Sequence, residues 1–180
     1  MKQDITYFEK GGEENTDAVM QIALARYKQG DIDAVVVASS LGKSALKAAE
    51  IFQEIGTPLL IVGEVLDGKQ SPAEEICEEL IAAGHQVIWG LAMSQMSTFT
   101  HNDSAKLVAD AYKRISEGFK VVCEIVLIAT NAGYINKGSK VLSIAGTHSG
   151  ADTAIVARAA GYDDFLQFQV HEILCKPYQR

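Results

Sequence analysis

The sequence predicts an α/β fold: three layers, α/β/α, around a mixed, mostly parallel sheet with antiparallel C-terminal strands. Three observations lead there. Short β-branched runs such as Ala34–Ala38, Leu59–Val62 and Val141–Ala145 read as strands buried on both faces. Segments with helical spacing separate most of them, as parallel crossovers require. The last two runs, Ala154–Ala157 and Leu166–Val170, have no helix between them and therefore turn back antiparallel.

Each element has its own signal. Ile5–Phe8 reads as a short strand, and Gly11–Thr16 as a turn into a helix. Asn15 or Thr16 suits the N-cap, Asp17 the first turn, and Gly30 the position after the end. Ala18, Ile22 and Ala25 mark the expected apolar face. After the strand Ala34–Ala38, a helix is expected from Ala45 to about Ile55, stopped at Gly56. Ser71-Pro72-Ala73-Glu74 reads as cap, first-position proline and capping-box glutamate for a helix that ends at Gly84. Gln86–Trp89 is a further strand. Leu91–Asn102 has no clean period and reads as a lid or an irregular connector. Asn102 or Asp103 then caps a helix with Leu107, Val108, Ala111, Tyr112 and Ile115 inward, ended by Gly118. Phe119–Ala132 is β-branched enough for a strand, but its length and the need for a crossover favour a buried helix. In Leu166–Val170, apolar residues alternate with Gln167, Gln169 and His171, a half-exposed strand.

Composition sets limits on function. The 180 residues suit one domain, residues 1–180, with no linker or repeat. A formal net charge of −7 argues against a nucleic-acid or anionic-membrane partner. No apolar run is long enough to span a bilayer, and Met-Lys-Gln-Asp does not open a signal peptide. Cys77, Cys123 and Cys175 form neither a metal-type nor a redox-type pair, so a reduced, cytoplasmic protein is expected. His85 and His101 read as surface loop residues and His171 as polar strand face. No histidine belongs to a metal cluster or a Ser/His/Asp order.

The stretch Asp33–Ala49 carries the strongest functional signal. A buried strand ends in Ser39-Ser40, and Gly42, Lys43 and Ser44 lead into a helix. The first N–H groups of a helix are unpaired and partly positive, and a glycine lets an anion approach them. Ser40 also fits a plain N-cap, and Gly42 a plain turn glycine. Lys43 fits that simpler reading less well, because a cation in the first turn opposes the helix dipole. Gly42-Lys43-Ser44 mimics the end of a nucleotide P-loop, but Val37 stands where that motif needs glycine, and no G-x-G-x-x-G occurs.

Ala34–Ala45, the helix after it, and Pro58–Gly63 together resemble the C-terminal α/β domain of pyruvate kinase. In that family a strand ends in a Ser/Thr, Gly, basic, Ser turn that holds a phosphate of a sugar bisphosphate effector. Lys137-Gly138, the strand Lys140–Gly146 and the glycine-rich turn after it are similar to its last hairpin. The chain is similar from end to end to stand-alone, mostly archaeal proteins of this fold with unassigned function. The likeness includes Tyr7-Phe8, Glu14-Asn15-Thr16, Val36–Ser40 with Gly42, Glu124, and Gly150-Ala151-Asp152-Thr153-Ala154.

The resemblance implies flavin mononucleotide (FMN) as cofactor and a homo-oligomer, and without a catalytic barrel it does not imply pyruvate kinase activity. It also implies that Ala34–Ser39 neighbours Val141–Gly146, with Leu59–Val62 and Gln86–Trp89 on the other side. Ligands collect at such a switch point.

A phosphorylated small molecule would then meet Ser39, Ser40, Gly42, Lys43 and Ser44. Gly146, Thr147, His148, Ser149 and Gly150 would face the same pocket, with Asp152 and Thr153 just beyond. Glu14, Asn15 and Thr16 would share the rim, although capping is the favoured reading for Thr16. Asp152 either binds ligand hydroxyls or fixes its own turn. The turn after Ala145 offers His148 but no Lys or Arg, which suits a single phosphate better than a sugar bisphosphate. Glu124 and His148 are the acid–base candidates of an enzyme reading. Glu124 sits either buried among Val121–Val126 or at the wet edge of an amphipathic helix. Trp89, Met93, Met96 and Phe99 would wall a flavin ring, although a core role is favoured for both methionines. A regulatory or structural subunit is the third class of function.

Overall fold

The computed structural model describes residues 2–66, 69–90 and 103–179. The elements are β1 (Thr6–Phe8), α1 (Thr16–Tyr27), β2 (Ala34–Ala38), α2 (Lys43–Phe52), β3 (Leu59–Leu66), β4 (Lys69–Ser71) and α3 (Glu74–Ala82), followed by β5 (Gln86–Gly90), α4 (Asp103–Tyr112), α5 (Glu117–Asn131), β6 (Lys140–Ala145), β7 (Thr153–Arg158) and β8 (Gln169–Pro177). One eight-stranded sheet runs β1-β8-β7-β6-β2-β3, where β3 pairs with both β5 and the short β4. Pairing is parallel for β1–β8, β2–β6, β2–β3 and β3–β5, and antiparallel for β3–β4, β6–β7 and β7–β8. The α/β class with its mostly parallel sheet and antiparallel C-terminal strands is as expected.

Connection handedness decides which face each helix covers. Right-handed crossovers put the helix on one face when the chain advances along the sheet and on the other when it returns. The steps β1 to β2, β2 to β3 and β3 to β5 all advance in one direction, and α1, α2 and α3 share one face. Their core holds Val19, Met20, Ala45, Phe52 and Leu80 against Val35, Val37, Leu59, Ile61, Leu142 and Ile144. The step from β5 to β6 returns, and α5 covers the other face. There Ile125, Val126 and Ala129 meet Val36, Leu60, Val62 and Val141, and Phe119, Val122 and Cys123 meet Ile155 and Ala157. Each central strand feeds both cores with alternate residues, which is why its sequence is continuously apolar.

Several local expectations change. Helix α1 buries Val19, Met20, Ala23 and Leu24, while Ala18 and Ala25 are exposed. Its apolar residues lie on nearly every side, so spacing does not select the face. Ser71 does not cap α3. It pairs with Glu64 in the β3–β4 hairpin, which leaves Ala73 as N-cap without a side-chain hydrogen bond. In α4, Leu107 and Ala111 are exposed and Ala109 is buried. Gly118 ends nothing: it lies inside α5, whose N-cap is Ser116, with Oγ accepting from Phe119 N at 2.9 Å. Leu166 falls in a 3₁₀ turn, Phe165–Gln167, and is exposed. The closing strand starts only at Gln169. Helix is correct for Phe119–Ala132. Leu91–Asn102, including Met93, Met96, Phe99 and His101, lies outside the described residues. Among the described residues no helix is long and apolar enough to cross a membrane.

One ionic cluster ties the far end of the sheet together. Arg26 is buried on α1, and its guanidinium donates to Asp31 at 2.6 Å and to Glu172 on β8 at 2.8 Å. Lys140 at the start of β6 donates to Asp31 at 2.8 Å. Hydrogen bonding to Arg26 holds both carboxyls below the usual carboxylate range and holds the guanidinium charged. His85 is half-buried rather than a free surface residue. Its Nδ1 accepts from Leu59 N at 3.2 Å, and desolvation lowers its pKa.

Two predictions follow from these contacts. Arg26→Ala leaves the buried Glu172 carboxylate uncompensated and should cost about 3 kcal/mol, measured by urea unfolding. Stability should also fall on acidification in two stages. It declines first below about pH 6.5, where unfolded histidine takes a proton that folded His85 resists. It declines again below about pH 4, where the unfolded carboxyls take protons that folded Asp31 and Glu172 resist. His85→Leu should remove the first stage alone.

Candidate functional site

The strands β2 and β6 lie side by side in parallel, Val36 opposite Ser143 and Val37 opposite Ile144. Their C-terminal turns therefore open at one place on the sheet edge. The chain leaves β2 with Ser39 N donating to Val62 O at 3.0 Å, and Ser39 Oγ accepts from Ala45 N at 3.2 Å. Ser39, not Ser40, thus supplies the hydroxyl to the first turn of α2. The N-cap is Gly42, at φ 87°. That left-handed conformation suits glycine, and a side chain there would also run into Ile76, 2.7 Å from the position of an added Cβ. Ser40 is left facing the opening, and its carbonyl accepts from the Ser71 hydroxyl.

The second turn, residues 146–150, is held from below. Asp152 is fully buried. Its Oδ2 accepts from Thr147 N at 2.9 Å and Gly12 N at 3.2 Å, and its Oδ1 accepts from Thr153 Oγ1 at 2.7 Å. Thr16 Oγ1 accepts from Ala151 N at 3.0 Å, and Ser149 Oγ donates to Glu13 at 2.8 Å. The turn after β1 and the turn after β6 are thereby locked together. Asn15 Nδ2 donates to Lys10 O and Gly12 O inside the first of them.

Between the two turns lies a cavity of about 320 Å³. Ser39, Ser40, Lys43 and Ser44 line one side, and Gly146, His148, Ser149 and Gly150 another. Helix α5 completes it with Lys120, Val121, Glu124, Ile125 and Ile128. Lys120 Nζ lies 2.5 Å from Glu124 Oε2, and the two side chains are 11% and 4% exposed. Glu124 is therefore buried and paired, the first of its two expected settings. Burial, and next the charge of Glu124, push the Tyr162 hydroxyl up to about 12. Lys43 is exposed, with only a 3.9 Å contact to Glu13, a surface pair of small energy.

The expected site residues divide into two groups. Ser39, Ser40, Lys43, Ser44, Gly146, His148, Ser149, Gly150 and Glu124 meet at the cavity. Glu14, Asn15, Thr16, Gly42, Thr147, Asp152 and Thr153 do not line it, and most of them shape or brace the turns that do. Lys120 was missed. Its signal was the Lys120–Glu124 spacing of four on a helix otherwise buried all round. It adds a buried ammonium to the cavity wall, paired with Glu124. Trp89 is the penultimate residue of β5 and does not line the cavity; its Nε1 is buried and unpartnered among the described residues. The described residues hold no group of three His, Cys, Asp or Glu placed for a metal. All three cysteines are buried free thiols whose pKa burial raises, Cys175 to about 12.

A mixed sheet wound on both faces, with a polar cavity at the β2/β6 switch point, defines the class as an α/β domain of the doubly wound type. Within that class the family model described as the pyruvate kinase alpha/beta domain matches residues 17–157. The chain belongs to that family.

Replacing Gly42 with alanine combines a left-handed backbone with a collision, whereas Gly30 at φ 84° has nothing within 4 Å of an added Cβ. Gly42→Ala should therefore destabilise by about 2–3 kcal/mol and Gly30→Ala by about 1 kcal/mol, compared by urea unfolding.

Proposed function

We propose that this cavity binds a phosphorylated small molecule, FMN, and that the protein is a binding protein for it. The observation that carries this reading is the convergence of Ser40, Lys43 and Ser44 on one cavity at the start of α2. Hydroxyls, a helix N-terminus and an ammonium group are the donor set a phosphate monoester requires. The fit extends past the phosphate. Ala38, Val62, Val121, Ile125 and Ile128 give the cavity an apolar side for a ring. Its volume lies near the lower end of small-molecule sites. Bound FMN would supply a redox-active ring. This chain's residues would anchor the phosphate, screen it from water and offer polar partners to the ring edge.

An enzyme acting on or with the same ligand is the second reading. It rests on Glu124, a buried carboxylate in the cavity wall, and on His148, which lines the cavity at φ 60°. Both can exchange protons with a bound molecule.

Titration with FMN, followed by flavin absorbance and fluorescence, tests the binding reading. The double variant Ser40→Ala/Lys43→Ala should bind FMN at least about tenfold more weakly while unfolding like the parent, because charge-assisted hydrogen bonds are lost. Unchanged affinity would mean that the phosphate sits elsewhere. If neither added nor copurified FMN is found, the ligand is another. Turnover that collapses in Glu124→Gln or His148→Ala with binding intact would favour the enzyme.

A further inference from the structure

The cavity has two chemically different parts. On the open side, half-buried Ser40, buried Ser44 and Lys43 offer donors and one cation, with Lys43 74% exposed and the Glu64 carboxylate also lining the cavity. In the buried wall the charge is balanced: Lys120 and Glu124 sit 2.5 Å apart, one turn apart on α5, almost wholly removed from water. A paired ammonium and carboxylate present little net charge, yet they remain a donor beside an acceptor. An ammonium has three N–H groups and a carboxylate about four acceptor sites, so their mutual contact does not exhaust either. A second phosphate brought to that wall would face the Glu124 carboxylate in a low-dielectric setting, where like charges repel strongly. A neutral group with an N–H next to a C=O meets no such penalty and matches both partners.

We infer that the buried wall recognises a neutral amide or imide edge, with Glu124 accepting from its N–H and Lys120 donating to its C=O. The ligand class is then a phosphate monoester at one end with a pyrimidine-like imide at the other, and bisphosphorylated sugars are excluded. This rests on the anion-binding reading of the rim. Glu124 and Lys120 set specificity in it, and neither is asked to perform chemistry.

The test is calorimetric titration of the whole chain with four probes: inorganic phosphate, FMN, FMN methylated at the imide nitrogen, and fructose 1,6-bisphosphate. The parent protein should bind FMN at least about tenfold tighter than its methylated form, because the methyl removes the donor and leaves buried acceptors unmatched. Fructose 1,6-bisphosphate should bind more weakly than FMN. The double variant Lys120→Met/Glu124→Leu exchanges the ion pair for apolar groups of similar size, a change that buried pairs tolerate. It should bind inorganic phosphate as the parent does, lose at least about tenfold in FMN affinity, and no longer distinguish FMN from the methylated form. Equal affinity of the parent for the two flavins overturns the inference without any variant, as does tighter binding of the bisphosphate. If phosphate binds and imide selectivity is missing, the inference alone falls. If the parent binds none of the probes, the inference and the anion-site reading fall together.

Discussion

The parallel pairing of β2 with β6 is the constraint on which the rest depends. These strands are far apart in the chain and adjacent in the sheet, Ala34 opposite Val141 through Val37 opposite Ile144. Because the chain reverses its progress across the sheet to make this pair, the crossover that reaches β6 must lie on the opposite face from those that precede it. That sends α5 to its own side, over the C-terminal ends of β2 and β6, and leaves a gap between the turns that follow them. The cavity is the product of that reversal. Its walls come from segments that sequence order keeps apart: the Ser39–Ser44 turn, the ends of β3 and β5, residues 146–150, and residues 120–128 of α5.

Holding such a gap open requires that its rims be rigid, and the polar residues around it divide the work. Asp152, Thr153, Thr16 and Ser39 use their oxygens on backbone N–H groups or on one another within the structure. An unsatisfied buried carboxylate or amide costs several kcal/mol, so these residues make the turn geometry single-valued. Ser40, Lys43, Ser44 and His148 then face the cavity on a frame they did not have to build. Hydroxyl and carboxylate residues beside a strand end are ambiguous in sequence for this reason: bracing and binding use the same chemical groups.

That ambiguity explains what could be read in the sequence and what could not. The strands Ala34–Ala38, Leu59–Val62 and Val141–Ala145 declare themselves, because burial on both faces forces a largely apolar run. The helix over Phe119–Ala132 was decided by length and connectivity against its β-branched composition. The adjacency of the two turns needed a fold resemblance, since no spacing rule connects Ser40 to Ser149. What stayed hidden depended on tertiary context. The buried face of α1 is set by its neighbours. Ser71, which reads as a cap, is drawn into a hairpin. Asp152 could have been a ligand group until Gly12 and Thr147 were seen donating to it. Lys120 reads as a surface lysine unless α5 is known to be covered on all sides.

The net charge of −7 sharpens the role of the local donors. A dianionic ligand approaching this protein meets a field of its own sign, which salt screens beyond about 8 Å at physiological ionic strength. Long-range steering therefore contributes nothing favourable, and affinity for an anion must come from groups in contact with it. Within the cavity those are the start of α2, the Ser40 and Ser44 hydroxyls and Lys43, with Lys120 neutralised by Glu124 in the wall and the Glu64 carboxylate lining the cavity as well. Two ammonium groups matched by two carboxylates leave the helix terminus and the hydroxyls to hold an anion, which suits a single phosphate. A buried ion pair adds little to stability by itself and is often replaceable by apolar residues. Placing one in the cavity wall instead fixes a donor and an acceptor at known positions without adding net charge. That arrangement separates the two tasks of the site, with charge handled at the rim and hydrogen-bond pattern in the wall.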